Sequence, residues 1–238
     1  MERPRSVREL LLATLALYRR YPLLFLILAL AVVAPYDLAW LGITGYGPLV
    51  RLAHAHRALG WLDLLLHTLL IAALISALHL HAVVAIGEGE RPRLRVVAMR
   101  GFAVLPVVGV AATLATAGIF VGTLALVLPG IVLYVRWGVV AQAAALEHER
   151  PTSAIQSSWQ LTDGYFRHIL GLQAVVVALA VGVTDGARAL PVGSTSGAAS
   201  VSLGIAVQTI LWSFTALAYA LLYFDLVARG RDLQQHEP

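Results

Sequence analysis

The chain has 238 residues, 59% of them apolar and only 13% charged, with a mean hydropathy of +0.81 and a formal net charge of +4. Soluble domains carry about 25% charged residues, so no stretch is left for a soluble domain of ordinary size, and apolar runs recurring along the whole length indicate a polytopic helical membrane protein. The absence of Cys excludes disulfides, thiolate metal sites and thiol nucleophiles, and the absence of Lys excludes every phosphate loop of the Gly-Lys-Ser/Thr type.

Taken in order, residues 6 to 20 have helical amphipathic spacing. Val7, Leu10, Leu11, Leu15 and Tyr18 share one face, with Arg8, Glu9 and Arg19 off it. Such a helix either lies in the membrane interface or packs against the protein's own spans. The first span is predicted over Leu23 to Leu41. Its Arg-rich start resembles a signal peptide, but Pro35 and the continuing apolar run argue for a retained anchor. Residues 42 to 58 read as a loop. The second span runs from Leu59 to Ile86 and ends at Gly87-Glu88-Gly89-Glu90.

A short surface helix, Leu94 to Arg100, precedes a third span over Phe102 to Leu128. Within that span Gly118 and Gly122 form a small-residue pair that lets a neighbouring helix approach. A Pro129-Gly130 break leads to a short fourth span, Ile131 to Leu146, interrupted by Arg136-Trp137. Then comes an amphipathic surface helix, Ser153 to Asp163, with Ser153 and Gln156 at capping-box spacing. It is predicted to turn Ile155 and Trp159 to apolar surroundings and to end at Gly164 in a left-handed cap. The fifth span covers Tyr165 to Val183, a Gly/Ser/Thr-rich loop covers 185 to 200, and the sixth span covers Val201 to Val227. The expected fold is therefore all-α. A cytoplasmic amphipathic segment (1–22) precedes a six-helix membrane domain (23–228), and a polar tail (229–238) follows it.

Orientation follows from Arg. Thirteen Arg fall on the side holding both termini, against Arg51, Arg57 and Arg188 on the other, which places both ends in the cytoplasm. The exclusive use of Arg reads as a GC-rich bacterial coding bias, so the expected location is the bacterial cytoplasmic membrane. The tripeptide Glu-Arg-Pro occurs at 2–4, 90–92 and 149–151, each time before a surface helix and two spans. It suggests three repeats of surface helix plus helical hairpin, or convergent punctuation before short helices.

Candidate chemistry is sparse. His54-x-His56 and His79-x-His81 lack a shared helix face and read as interfacial histidines. His148-Glu149-Arg150-Pro151-Thr152 lacks the second His of a zinc motif, and Gly193-Ser194-Thr195-Ser196-Gly197 has Thr at its centre, not Ser. Asp63 and His67 do share a face, and with His54 or His56 they suit either a metal or a plain Asp–His hydrogen bond. By depth, Asp37, Asp63, His67 and Arg136 are expected to form one polar cluster in the outer leaflet, with Arg136 paired to Asp63 or Asp37. No catalytic set, metal site or cofactor is expected.

Three stretches carry a resemblance: Leu128-Pro129-Gly130-Ile131 with Arg136, Ser158-Trp159-Gln160-Leu161-Thr162-Asp163-Gly164, and Tyr223-Phe224-Asp225-Leu226. With them the chain resembles the membrane domain found N-terminal to some bacterial glycerophosphodiester phosphodiesterases, and related stand-alone six-span proteins. It departs from that pattern at Arg167, where an aromatic is expected, and at Val227, where Arg is expected. The resemblance implies six spans and marks Tyr223 and Asp225 as an inner-end motif. It does not carry the phosphodiesterase activity, which belongs to a separate barrel domain for which this chain has no room. The expected function is a non-enzymatic membrane protein that interacts with lipid or serves as a scaffold for another membrane or cytoplasmic protein, with no nucleic-acid partner. The alternatives are a small-molecule or lipid transporter, and a membrane-embedded hydrolase using Asp63, His67 and Arg136. Against transport, no span is visibly broken by Gly or Pro at mid-membrane.

Overall fold

The structure is a computed structural model that describes residues 5–49, 57–147, 150–191 and 197–235. Its helices are α1 (Val7–Arg20), α2 (Pro22–Thr44), α3 (Arg57–Leu66), α4 (Ala73–Gly87), α5 (Leu94–Ala125), α6 (Val127–Arg136), α7 (Val140–Glu147), α8 (Pro151–Leu161), α9 (Phe166–Ala189) and α10 (Ala198–Gln235), with a π-helical segment His67–Ala72 joining α3 to α4. There is no strand among the described residues. Six helical stretches are long and apolar enough to cross a membrane. The protein is thus an all-α, polytopic membrane protein. The His54, His56, His148 and Ser194–Ser196 motifs lie outside the described residues.

α1 starts at a capping box: Ser6 Oγ accepts the Glu9 N–H, and the Glu9 carboxylate accepts the Ser6 N–H. The helix packs on the protein's own spans. Its buried face is Leu10 and Thr14, with Val7, Leu11, Leu17 and Tyr18 beside them. Leu15, assigned to that face by periodicity, is 45% exposed. The Arg5 N–H donates to Asp225 (2.7 Å), while Tyr18 packs against the same core, so α1 packs against α10, with Arg5 beside Asp225.

The expected surface helix Leu94–Arg100 is continuous with the third span in one 32-residue helix, α5. Gly101, at the join, does not break it, because a Cβ there would meet Leu78 Cδ2 at 2.6 Å; the missing side chain lets α4 approach instead. Only two of the three anticipated surface helices, α1 and α8, stand apart from a span.

The turn between the third and fourth spans also differs from expectation. The break falls at Leu126 (φ −162°, ψ 142°), and Pro129-Gly130 lies in the first turns of α6, where a missing N–H costs little. Gly118, Gly122 and Gly130 line the α5–α6 contact. Added Cβ atoms would lie 2.3 Å from the Trp137 ring, 2.9 Å from Leu133 Cδ1 and 2.0 Å from Thr123 Oγ1 respectively. The hairpin tip exposes Leu124, Leu126, Val127 and Leu128 at 65–75%. Between Arg100 and Arg136 no charged residue occurs.

The main core joins α4, α5, α7, α9 and the second half of α10. His79 and His81, expected at the interface, are buried here. His79 Nδ1 is 2.9 Å from the Ile75 carbonyl, and a carbonyl only accepts, so Nδ1 carries the proton. The Ser213 hydroxyl lies 2.9 Å from Nε2 and 3.2 Å from the Phe25 carbonyl, so its one proton is shared between those two acceptors, while the Phe25 ring stacks on the imidazole. This contact ties α2, α4 and α10 together in the bundle interior.

Candidate functional site

The fourth span is interrupted. α6 ends at Arg136, the chain turns through Trp137–Val139, and α7 departs. A helix end leaves orphan carbonyls, and this one finds partners from two directions. The Tyr134 carbonyl accepts from Gln173 Nε2 of α9 (3.1 Å). The Arg136 carbonyl accepts from Ser158 Oγ (2.9 Å) and Thr162 Oγ1 (3.1 Å) of the α8 segment. Gly138 makes room for the first contact, since a Cβ there would lie 2.4 Å from Gln173 Nε2.

This arrangement corrects the expected partner of Arg136. Its guanidinium lies over the Trp159 ring (5.0 Å) and reaches Asp163 (Nη2 to Oδ1, 2.7 Å). It does not pair with Asp63 or Asp37. The expectation assumed one straight helix from Ile131 to Leu146. The break at Trp137–Val139, with α8 packed along α7, turns Arg136 to α8 instead. The buried face of α8 is correspondingly Ala154 and Ser158, continued by Thr162. Trp159 is 41% exposed and Ile155 is partly buried. Ser153 makes no capping box. It sits inside the helix begun by Pro151, and its hydroxyl donates to the Arg150 carbonyl at 2.7 Å. Gly164 does adopt the left-handed conformation (φ +77°).

Of the remaining cluster, Tyr36 connects two members. Its hydroxyl donates to the Asp63 carboxylate, and the His67 ring meets the Tyr36 ring edge-on at 5.3 Å. Trp212 closes the other side of His67 at 4.7 Å. Asp37 is fully buried on α2, next in sequence to Tyr36. Among the described residues no three His, Asp or Glu side chains group as a metal site.

Asp63 and His67 also face a cavity of about 640 Å³, bounded by the second to sixth spans and the chain around Pro48-Leu49. Its walls are mostly apolar. The polar groups are Asp63, His67, Ser76, Thr116, Tyr134, Gln142, Gln173, Thr184, Arg188, Gln208, Thr215 and Tyr219. Both irregular segments border it, the π turn through His67 and Ala72 and the fourth-span break through Trp137 and Gly138. The Tyr134 and Tyr219 hydroxyls are 3.5 Å apart. Arg188 bonds to the Leu49 carbonyl (2.8 Å) and to Asp185 (3.0 Å). A volume of this size suits a small ligand or one end of a larger one. Periodicity could not reveal it: the three glutamines lie far apart in sequence, and the π turn contains neither Pro nor Gly.

A second polar centre sits where the residue before α1, Arg5, meets the last turns of α10. Asp225, 2% exposed, accepts the Arg5 N–H and bonds to Arg229 Nε (2.7 Å), with His168 Nε2 at 3.5 Å. Arg229 also donates to the Arg5 carbonyl (2.6 Å) and lies over the Tyr165 ring (5.0 Å). Tyr223, two residues before Asp225, is buried, its ring edge-on to Phe224. Here Asp225 joins α1, α9 and α10.

No family model, no curated protein and no solved structure matches the chain.

Proposed function

We propose that this is a non-enzymatic integral membrane protein that binds a lipid or lipid-like amphiphile inside its helical bundle. The observation that carries the reading is the roughly 640 Å³ cavity, whose walls are mostly apolar with polar side chains spread among them and which both helix irregularities border. A second, wholly apolar groove between α2, α4 and α5, lined by Ile27, Ala31, Leu74, Leu78 and Phe102 among others, supports lipid contact from the side. The test is retention of lipid through purification, read by native mass spectrometry of protein released from nanodiscs. The wild type should carry a bound amphiphile, and Ala141→Phe, which fills the cavity wall, should lose it. Equal retention in both, or none in either, sinks the reading.

A second reading, small-molecule or lipid transport, draws support from the same irregularities. Transporter sites are commonly built where spans are broken, and the π turn and the Trp137–Val139 break both border the cavity. Solute flux in proteoliposomes that Ala141→Phe abolishes would favour it over static binding.

We further propose that the protein sits in a bacterial cytoplasmic membrane with both termini inside. The thirteen-to-three Arg bias supports this, as does the contact between Arg5 and Asp225 at one end of the bundle. A cytoplasm-active reporter fused after Pro238 should be active, and one inserted at Ser196 inactive. Kinship with the membrane domain of glycerophosphodiester phosphodiesterases is likewise proposed. Its support is that Arg136, Ser158, Thr162 and Asp163, residues of the motifs that carry the resemblance, touch one another.

A further inference from the structure

The lipid-binding reading leaves open what kind of head group the cavity accepts, and three glutamines bear on it. Gln142, Gln173 and Gln208 line the cavity, and the buried Oε1 of each has no hydrogen-bond partner among the described residues. Gln142 is 2% and Gln173 1% exposed. The orientation of Gln173 is not arbitrary. Its Nε2 donates to the Tyr134 carbonyl, and flipping the amide would set oxygen against oxygen, so Oε1 is the free atom. Gly138 makes room for the Gln173 amide, and Gln142 lies four positions further along, just past the break at Trp137–Val139 and on the same cavity wall. The two acceptors therefore belong to one end of the cavity, with the Tyr134 and Tyr219 hydroxyls beside them.

The charges of the cavity lie elsewhere. Asp63 is engaged by Tyr36, and Arg188 is fifteen residues beyond Gln173 on the same helix, about 22 Å away. The glutamine end is thus uncharged, with two tyrosine hydroxyls and the unpartnered Oε1 atoms of Gln142 and Gln173. Neither a carboxylate or phosphate nor an ammonium would find a counter-charge there, and a buried ion without one is costly. A hydroxyl or amide N–H supplies what the carbonyl oxygens lack, because a buried acceptor left unmet is costly.

We propose that the Gln142–Gln173 end of the cavity binds the uncharged, hydrogen-bond-donating head of a neutral amphiphile, such as a hydroxyl-headed lipid, with the apolar walls holding its chain. This rests on the lipid-binding reading above and narrows it to a head-group class.

The test uses the full chain in nanodiscs, with Trp40, Trp61 and Trp159 replaced by Phe so that the two cavity tryptophans, Trp137 and Trp212, report. The probes are 11-bromoundecanol, its methyl ether, 11-bromoundecanoate and 11-bromoundecyl-trimethylammonium, compared at equal mole fraction in the bilayer. The alcohol should quench saturably, with half-saturation at least about fivefold below that of the other three, the effect of one donor matched to a buried acceptor. Gln142→Leu should abolish that advantage. Gln173→Leu should do the same if it folds without its bond to Tyr134, and Gln142→Leu decides the matter if it does not. Equal quenching by the alcohol and its ether, or an advantage that survives Gln142→Leu, overturns the proposal. So does an alcohol advantage no greater than the charged probes show, which would mean water alone satisfies the glutamines. A charged probe that saturates would sink the head-group assignment and leave lipid binding standing. If no probe saturates, both readings fail.

Discussion

Arg136 and Asp163 meet at 2.7 Å across the junction of α6 and the end of the α8 segment, yet their side chains are 19% and 74% exposed. An ion pair that open to solvent contributes about 0–1 kcal/mol. The stronger attachment is on the backbone of the same residue, where Ser158 and Thr162, both fully buried, bond to the Arg136 carbonyl. Asp163→Asn should therefore shift stability by less than about 1 kcal/mol, and Thr162→Val by about 1–3 kcal/mol, because a helix-end carbonyl and its surroundings lose a buried partner. Thermal unfolding in one detergent compares the two. Coupling between Arg136→Met and Asp63→Asn in a double-mutant cycle should be absent within about 0.5 kcal/mol, and a sizeable coupling would restore the outer-leaflet pair.

Asp225 presents the opposite case. Its carboxylate is almost fully buried and takes bonds from the Arg5 N–H and from Arg229, with His168 Nε2 3.5 Å away. Replacing it by Ala leaves the Arg229 charge partly buried without a counter-charge and should cost about 3–5 kcal/mol. Because Arg5 anchors α1 through this carboxylate, the same variant should be cut faster by trypsin at the exposed Arg19-Arg20 pair. Unchanged proteolysis together with unchanged stability would mean that α1 is held by its apolar face alone.

The Ser213 hydroxyl lies within hydrogen-bond distance of both His79 Nε2 (2.9 Å) and the Phe25 carbonyl (3.2 Å), while His79 Nδ1 donates to Ile75. Ser213→Ala should thus leave a buried imidazole nitrogen unmet and destabilise the bundle by about 1–3 kcal/mol. Ser213→Thr, which keeps the hydroxyl, should retain more stability than Ala. The reverse order would assign the contact to packing alone.

The glycines at the α5–α6 contact should rank by what a methyl group would strike. At Gly130 it would meet the Thr123 backbone at 2.8 Å, at Gly118 the ring of Trp137, and at Gly122 the movable tip of Leu133. Ala at 130 and 118 should each cost about 1–3 kcal/mol, and Ala at 122 less. Gly182 of α9 meets nothing within 4 Å, so Ala there should be neutral or stabilising by up to about 1 kcal/mol. Melting temperatures of the four variants give the order directly.

What could be read beforehand depended on the reach of each signal. Apolar runs long enough to cross a bilayer are local, and so the six spans and the Gly164 cap were visible. The Gly118/Gly122 face was visible for the same reason, since small residues one turn apart mark a close approach whatever the partner. The partner of Arg136 was not, because it depends on a break at Trp137–Val139 that no Pro explains. That break is made possible by Gln173, Ser158 and Thr162, residues 20 to 40 positions away that satisfy its carbonyls. Depth counted along a straight helix fails once the helix stops. The buried stripe of α8 was misplaced for a related reason: small Ala154, Ser158 and Thr162 allow closer packing than Ile155 and Trp159, and a hydrophobic count ranks them last.

The turn between α5 and α6 bears on how the protein is made. Leu126 N–H closes back onto Gly122 O (3.0 Å), Gly130 N–H onto Leu126 O (3.5 Å), and Pro129 has no N–H to satisfy. From Ala125 to Gly130 there is no polar side chain. The third and fourth spans can therefore enter the bilayer together as one folded-back unit, without hauling a hydrophilic connection through the hydrocarbon. The last hairpin, with Asp185 and Arg188 near the end of α9 and a Ser/Thr-rich stretch in the sequence after it, has no such route. Nascent-chain insertion should accordingly need assistance at the last hairpin and little at the middle one. The α5–α6 tip should stay closed to water-soluble maleimide when Leu126 is replaced by Cys.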